Sequence, residues 1–427
     1  MRHFLKSSLA AASPSTKARG AIDPKALEGG RKTSIVLIGT SYKTSPLELR
    51  ERLAPILSGR PHGLRLAHVG EHAEILTCNR MEILLVTDSP DQTLGSFFSR
   101  VADVADQTAF YVHKDVDAIS HIFGVAAGLD SMVMGEEQIL GQVKDAGIKA
   151  RTSGASRGIL AALFDASVNV GRRVRSGPAP DTPPRSVSAF ALAFARRRLR
   201  RDPRNVLLIG SGKTIKLAAT ELKGARLFVA TRRAELGPFH RAKPIPYKDI
   251  VGVADRCDLI ISATKHDGYL LKAGDLKGRK RRVILDLAFP RNVDPRLSSA
   301  SNELYDLDDL ARAAPVPPAL EMATAERLIA READSFSRWL SATRLTPTLS
   351  SLYRWAENVR GEEADSALRR LPGLSEREKR VVQAMSKRLV SKLMAPPTRF
   401  AKASSPELPQ SDRLELVQRV FEPGETE

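Results

Sequence analysis

"NVLLIGSGKTIKLAATEL", Asn205 to Leu222, joins an aliphatic run, a glycine-rich turn and a run of helix formers. An apolar strand that ends in Gly210-Ser211-Gly212 and opens a helix lets backbone N–H groups approach a phosphate at the helix N-terminus. Downstream, "ARLFVATRR" from Ala225, "CDLIISATKH" from Cys257 and "RRVILDLAFPRN" from Arg281 read as a second, third and fourth strand between helical spacers. Such a series marks a parallel, doubly wound sheet of the Rossmann type. The fingerprint is incomplete, because Ile215 stands where its third glycine is expected. The turn also ends in Gly212-Lys213-Thr214, as a P-loop does. The first glycine of that motif would fall on Leu207, inside the strand, which disfavours an ATPase.

The end of the second strand bears on the cofactor. An NAD site usually places an acid there for the ribose hydroxyl. Here Thr231-Arg232-Arg233 offers a hydroxyl and two cations, which suit a 2′-phosphate, so NADPH is expected over NADH. The candidate cofactor residues are Gly210, Ser211, Gly212, Lys213, Thr214, Ile215, Thr231, Arg232 and Arg233. The alternative is a basic loop in a basic protein.

A chain of 427 residues suggests two or three domains, and 42% hydrophobic residues are enough to build cores. No apolar run approaches the ~18 residues of a bilayer span. Two cysteines cannot make a disulfide framework or a cysteine-rich zinc module, and no histidine pair has ligand spacing, so no metal is expected and a reducing, cytoplasmic setting is. The net charge of +18 suits a polyanionic partner such as nucleic acid, although it also fits an arginine-rich composition. Aromatic residues are only 5%, which argues for phosphate and shape contacts rather than base stacking. Residues 1–32, with no acid before Asp23, read as a disordered basic extension, an organellar transit peptide being the alternative.

Upstream of the glycine turn, "TSIVLIG" from Thr33 reads as a strand and "SPLELRERLAPIL" from Ser45 as a helix with Ser45 as N-cap and Pro46 at its first position. "EILTCNRMEILLV", Glu74 to Val86, is two apolar strands around a break that holds Cys78. On these residues alone a core or turn cysteine is the simpler reading and a nucleophile the sharper one, with Arg80 and His121 as candidates to stabilise a thiolate. From Asp115 to Arg175 the pattern is helical, interrupted by Gly128, Gly135 and Gly141, and "GLDSMVMGEEQILGQVK" clusters polar residues in a way that suits a pocket for an amino-acid moiety. Cys257, at the start of a strand, reads as structural. "SGPAPDTPPR", Ser176 to Arg185, is the linker candidate, and "APVPP", Ala314 to Pro318, a second break. A long helix is expected from about Glu321 to Ser341, more helix to about Met394, and a loop-like tail after Ala395.

"LTCNRMEILLV", "AISHIFGVAAGLDSMVMGEEQILGQVK", "VILDLAFPRNVDP" and "KRLVSKLMAPPTRFAK" resemble the glutamyl-tRNA reductase family, over about residues 33 to 400. The resemblance implies an α/β and α protein: an α+β catalytic domain at 33–178, a doubly wound Rossmann-type NADPH domain at 179–314, and a long connecting helix with a helical dimerisation domain at 315–400, followed by a tail at 401–427. It implies NADPH-dependent reduction of glutamate on tRNA(Glu) to glutamate-1-semialdehyde through a cysteine thioester, the first committed step of tetrapyrrole and haem biosynthesis by way of 5-aminolevulinate. The family's nucleophile matches Cys78 and its activity-linked histidine His121. Its substrate pocket matches Thr77, Asn79, Arg80, Ser131, Glu136, Glu137, Gln138 and Gln142. It further implies a V-shaped homodimer, with the aminomutase that consumes the product as a candidate partner and no membrane. Three departures stand out: Tyr42-Lys43-Thr44 replaces the family's "HKT", "DTPPRSVSA" replaces its lead into the cofactor domain, and Pro315, Pro317 and Pro318 require the connecting helix to begin late or kink. These motivate one alternative, a diverged paralogue that binds tRNA or nucleotide without turnover.

Overall fold

Strands β1 (Ser34–Ser41), β2 (Val69–Leu76), β3 (Arg80–Thr87) and β4 (Tyr111–Lys114) form an antiparallel sheet in the order β2-β3-β1-β4. The structure is a computed structural model that describes residues 33–58, 66–156, 158–176, 186–231, 241–278, 280–315, 319–403 and 410–421. The central strands β1 and β3 are buried along their whole length because both faces of the sheet are covered. Side chains alternate between those faces. Val36, Ile38, Met81, Ile83 and Leu85 pack on α1 (Leu47–Leu57) and α2 (Pro90–Val101), meeting Leu53, Leu57 and Phe97. Ile35, Leu37, Leu84 and Val86 pack on α3 (Asp115–Ala127), α4 (Glu137–Thr152) and α5 (Ile159–Arg175), meeting Ile119, Ile122, Val143 and Leu163.

Two local expectations need correction. Ser45 does not cap α1: its hydroxyl bonds Thr40 Oγ1 at 2.6 Å, and the free Leu47 N–H donates instead to the Asp308 carboxylate, 2.6 Å away in the next domain. Gly141 does not interrupt a helix but lies inside α4; the break between α3 and α4 is made at Gly128 and Gly135, both at positive φ.

The second domain holds α6 (Val187–Leu199), β5 (Asn205–Ile209), α7 (Lys213–Glu221), β6 (Arg226–Ala230), β7 (Ala242–Ile245), α8 (Ile250–Ala254), β8 (Leu259–Ser262), β9 (Arg282–Asp286), β10 (Asn302–Tyr305) and α9 (Leu307–Ala313). The six strands are all parallel in the order β7-β6-β5-β8-β9-β10, the doubly wound arrangement expected of a Rossmann sheet. The four expected strands are its centre, and β7 and β10 are short edges. Leu207 pairs with Phe228 and Ile260 in the middle of this sheet, so no phosphate loop can start there and the P-loop reading falls.

Helix α10 (Ala319–Arg370) starts directly after the proline cluster and runs unbroken for 52 residues, about 78 Å at the α-helical rise. Of that cluster, Pro317 and Pro318 lie outside the described residues. The first third of α10 belongs to the catalytic core: Ile329, Ala333, Phe336 and Leu340 pack with Phe123 and its neighbours, and Arg173 pairs with Glu332 at 2.8 Å. Its second half packs Leu349, Leu352 and Ala356 against Met394, Ala401 and Val417 of α11 (Glu376–Lys402) and α12 (Gln410–Phe421). The expected loop after Ala395 is therefore helix. Helix α11 continues through Pro396 and Pro397, and α12 docks where a tail was expected.

Candidate active site

The β2–β3 hairpin turns on three residues. The Thr77 hydroxyl accepts from the N–H groups of Asn79 (3.2 Å) and Arg80 (3.1 Å), and Thr77 N–H donates to the Arg80 carbonyl at 2.8 Å. This side-chain lock leaves Cys78, half-buried, at the tip. The tip faces a narrow cleft between the two domains. Thr77, Cys78, Asn79, Arg80, Ser131, Glu136, Gln138 and Gln142 line it from the catalytic side, and Val187, Thr214, Leu287 and Leu307 from the cofactor side. Most of the expected pocket is thus brought together. The side chain of Glu137 lies outside the described residues.

Arg80 is fully buried and its guanidinium is held by Glu82 at 3.1 Å and by Asp130 at 2.9 Å. Glu82, also fully buried, accepts from Tyr111 Oη (2.6 Å) and meets His121 Nε2 at 2.7 Å. Burial alone would raise the Glu82 carboxyl; the Arg80 charge and the His121 and Tyr111 contacts overcome it and hold the group down at about 2. Burial and the Glu82 charge push the Tyr111 phenol well above its ordinary range. Lys43 completes the network by pairing with Asp130, and Tyr42 packs beside the hairpin and donates its N–H to the Asn79 carbonyl at 3.0 Å.

His121 is not among the residues lining the cleft. It stacks on His113, ring centroids 4.7 Å apart, and acts on Glu82. Arg80 and His121, the expected candidates to stabilise a thiolate, are engaged elsewhere: Glu82 and Asp130 hold Arg80, and Glu82 holds His121. Two other charges act on Cys78. Burial pushes the thiol up to about 11, the Glu136 carboxylate pushes the same way, and the Arg50 guanidinium pulls it down. Burial likewise raises Glu136 to about 7, against the opposing pull of Arg175, Arg80 and Lys213. Arg50 was not expected in the site. Its signal in the sequence is an arginine on the buried stripe of α1, in phase with Leu47, Leu53 and Leu57.

On the cofactor side, Gly210 has φ +118°, and a Cβ there would stand 2.7 Å from the Ala263 carbonyl oxygen. A Cβ on Gly212 would meet nothing within 4 Å, so the backbone at the start of α7 is open to an approaching phosphate. The turn therefore fits a dinucleotide, with Ser211, Lys213 and Thr214 at the same helix start. Ile215 is a correction: it is fully buried in the core beneath α7 rather than on the cofactor surface. Strand β6 ends at Ala230, one residue earlier than expected, with Thr231 directly after it, and Arg232 and Arg233 lie outside the described residues. Cys257 is buried with Sγ 3.3 Å from the Val253 carbonyl, and burial raises it to about 12, in keeping with a structural thiol. Among the described residues no helix is long and apolar enough to cross a membrane, and no group of three or more acidic, histidine or cysteine side chains could hold a metal ion.

Family models match along the chain. "Glutamyl-tRNAGlu reductase, N-terminal domain" covers residues 38–177, "Shikimate / quinate 5-dehydrogenase" 193–313, and "Glutamyl-tRNAGlu reductase, dimerisation domain" 324–423. The glutamyl-tRNA reductase of Syntrophobacter fumaroxidans is 31% identical over 91% of this chain and 90% of its own. That of Aromatoleum aromaticum is 34% identical over 90% and 97%. The solved glutamyl-tRNA reductase of Methanopyrus kandleri aligns over 90% of this chain and 98% of its own, at 24% identity and a TM-score of 0.49.

Proposed function

The chain belongs to the glutamyl-tRNA reductase family, and from that premise we propose that it reduces the glutamyl ester of tRNA(Glu) to glutamate-1-semialdehyde through a thioester on Cys78, for tetrapyrrole synthesis. The observation that carries the reading is the placement of the Cys78 tip in a cleft walled by both domains. Sγ attacks the ester carbonyl carbon; the C–S bond forms as the C–O bond to the tRNA ribose breaks, and the ribose oxygen takes up a proton. Glu136, with its carboxyl near 7, is the group in the cleft able to take the thiol proton and return one to the leaving oxygen. Sulfur donates poorly into the carbonyl, so the thioester is a better hydride acceptor than the ester, and one hard step becomes two easier ones. When bound, NADPH supplies the hydride that converts the thioester to the aldehyde and frees the sulfur. Gln138, Gln142 and Ser131 are the polar groups that hold the amino-acid moiety, and the Arg80–Glu82–His121 network fixes the floor beneath it. The net charge of +18 draws the tRNA polyanion.

The enzyme acts as a homodimer through its C-terminal helices. On α11, Val381, Met385, Leu389 and Leu393 follow one another at four-residue spacing and are 57–63% exposed, an apolar stripe suited to a second copy. A free thiol nucleophile belongs in a reducing compartment, consistent with a cytoplasmic enzyme. The reactive aldehyde favours hand-over to a docked aminomutase, which co-sedimentation of the two proteins would test.

The deciding experiment is incubation with glutamyl-tRNA with and without cofactor. Without it, one equivalent of tRNA is released and Cys78 gains the mass of a glutamyl group; with NADPH, semialdehyde appears and NADH is a poorer donor. Cys78→Ser is expected to reduce turnover on the order of 10³-fold or more. Retained turnover in that variant would sink the mechanism.

A further inference from the structure

Arg50 is 0% exposed, yet it lies on the first helix of the catalytic domain, where the cofactor domain docks. Its Nη1 donates to the Cys78 carbonyl oxygen and its Nη2 to Asp308 Oδ1 on α9. The other oxygen of the same carboxylate takes the Leu47 N–H at the start of α1. One side chain thus joins the backbone of the nucleophile to the cofactor domain. A second pair, Arg291 to Glu51 at 2.6 Å, closes the same seam from the next residue of α1.

We propose that Arg50 is a positioning residue that makes the reactivity of Cys78 depend on docking of the cofactor domain, with Asp308 as the group that holds it in place. A buried guanidinium without a carboxylate partner is costly. When Asp308 withdraws with its domain, Arg50 turns to solvent, and the Cys78 turn loses both its carbonyl anchor and its nearest cation. When the domain docks, the cation returns and the thiolate is favoured. The nucleophile is thereby active when the hydride donor's domain is close enough to use the thioester, which shields that intermediate from water. The inference deepens the reading of Cys78 given above and rests on it.

The charges facing the thiol are few. Arg50 comes from α1 and Glu136 from the start of α4, whereas Arg80 in the hairpin is neutralised by Glu82 and Asp130. Lys213 from α7 acts on Glu136. Asp308 from α9 acts through Arg50. The sign of its effect is therefore diagnostic. If Arg50 stayed in place without Asp308, the unopposed cation would lower the thiol's titration midpoint. If Asp308 is what holds Arg50, removing it raises the midpoint as removing Arg50 does.

The experiment is the pH dependence of iodoacetamide alkylation at Cys78 in the full-length chain, assigned by peptide mass so that Cys257 does not contribute. It reads the thiol whatever the substrate, so its outcome is separate from that of the turnover assay. Arg50→Met and Asp308→Ala are each expected to raise the midpoint by about one pH unit, and the double variant no further than either. Arg50→Lys, which keeps the charge, should recover part of the shift. Asp308→Asn serves if the alanine variant fails to fold, as judged by circular dichroism. A midpoint unchanged or lowered in the Asp308 variants, or additive shifts in the double variant, overturns the proposal.

Discussion

An ionised Glu136 raises the Cys78 thiol and a protonated one does not, so the state of Glu136 bears directly on the nucleophile. The folded protein holds the Glu136 carboxyl near 7, against 4.5 when unfolded, so folding takes up a proton between those values. Stability from this group is therefore present at low pH and falls as pH rises toward 7, by an amount on the order of 2–3 kcal/mol. Glu136→Gln removes the dependence: the variant is expected to gain more in melting temperature over wild type at pH 8 than at pH 5, and equal gains at both would refute the assignment. The same variant should lower the alkylation midpoint of Cys78. Little of this could be read from single residues. A lone cysteine between two apolar strands looks alike whether it is packed or presented, and the specific motif around Thr77 to Arg80 is what singled it out. The charges that act on it, Arg50 and Glu136, come from distant parts of the chain, which no local pattern displays.

The glycine turn and its flanking strand and helix were readable because each carries its own signal: a buried aliphatic run, a residue that needs positive φ, and a helix start. Gly210 permits a direct trial. Gly210→Ala places a methyl 2.7 Å from a carbonyl oxygen at an unfavourable φ, at a cost of about 1–3 kcal/mol. We expect a lower melting temperature together with weaker NADPH binding by fluorescence titration; binding at wild-type strength would show that the turn does not shape the cofactor site. The edges β7 and β10, four residues each, were missed because short edge strands lack a continuous apolar run. The end of α11 was missed for the opposite reason, since Pro396 and Pro397 read as breakers. The helix lacks those two N–H donors, but Met394 and Ala401 are buried on either side of them, and tertiary packing outweighs the local loss. Ser45 has good capping chemistry, yet a carboxylate from another domain caps α1 in its stead.

For the chain as a whole, the order of domains was visible in the sequence, while their seams were not. The last helix before the expected break at Ala314–Pro318 is α9, and Asp308 of that helix is what grips the catalytic domain. The apolar stripe of α11 gives a further trial: Leu389→Asp is expected to convert the dimer to monomer by light scattering, with the alkylation rate of Cys78 unchanged, because no residue of the stripe lines the cleft. A dimer that persists would place the interface elsewhere.

Helix α10 also carries a consequence for how the protein is made. The core beneath the catalytic sheet includes Ile329, Ala333, Phe336 and Leu340, which are synthesised after the whole cofactor domain. Without them the core loses the burial of Ile329, Phe336 and Leu340, at roughly 1.5–3 kcal/mol each, comparable with the whole stability of a domain. On the ribosome, then, the second domain is able to complete its fold before the first, reversing the usual order of emergence. Chains released at residue 314 should show a protease-resistant cofactor domain and a digestible catalytic one, and chains released beyond residue 345 should protect both.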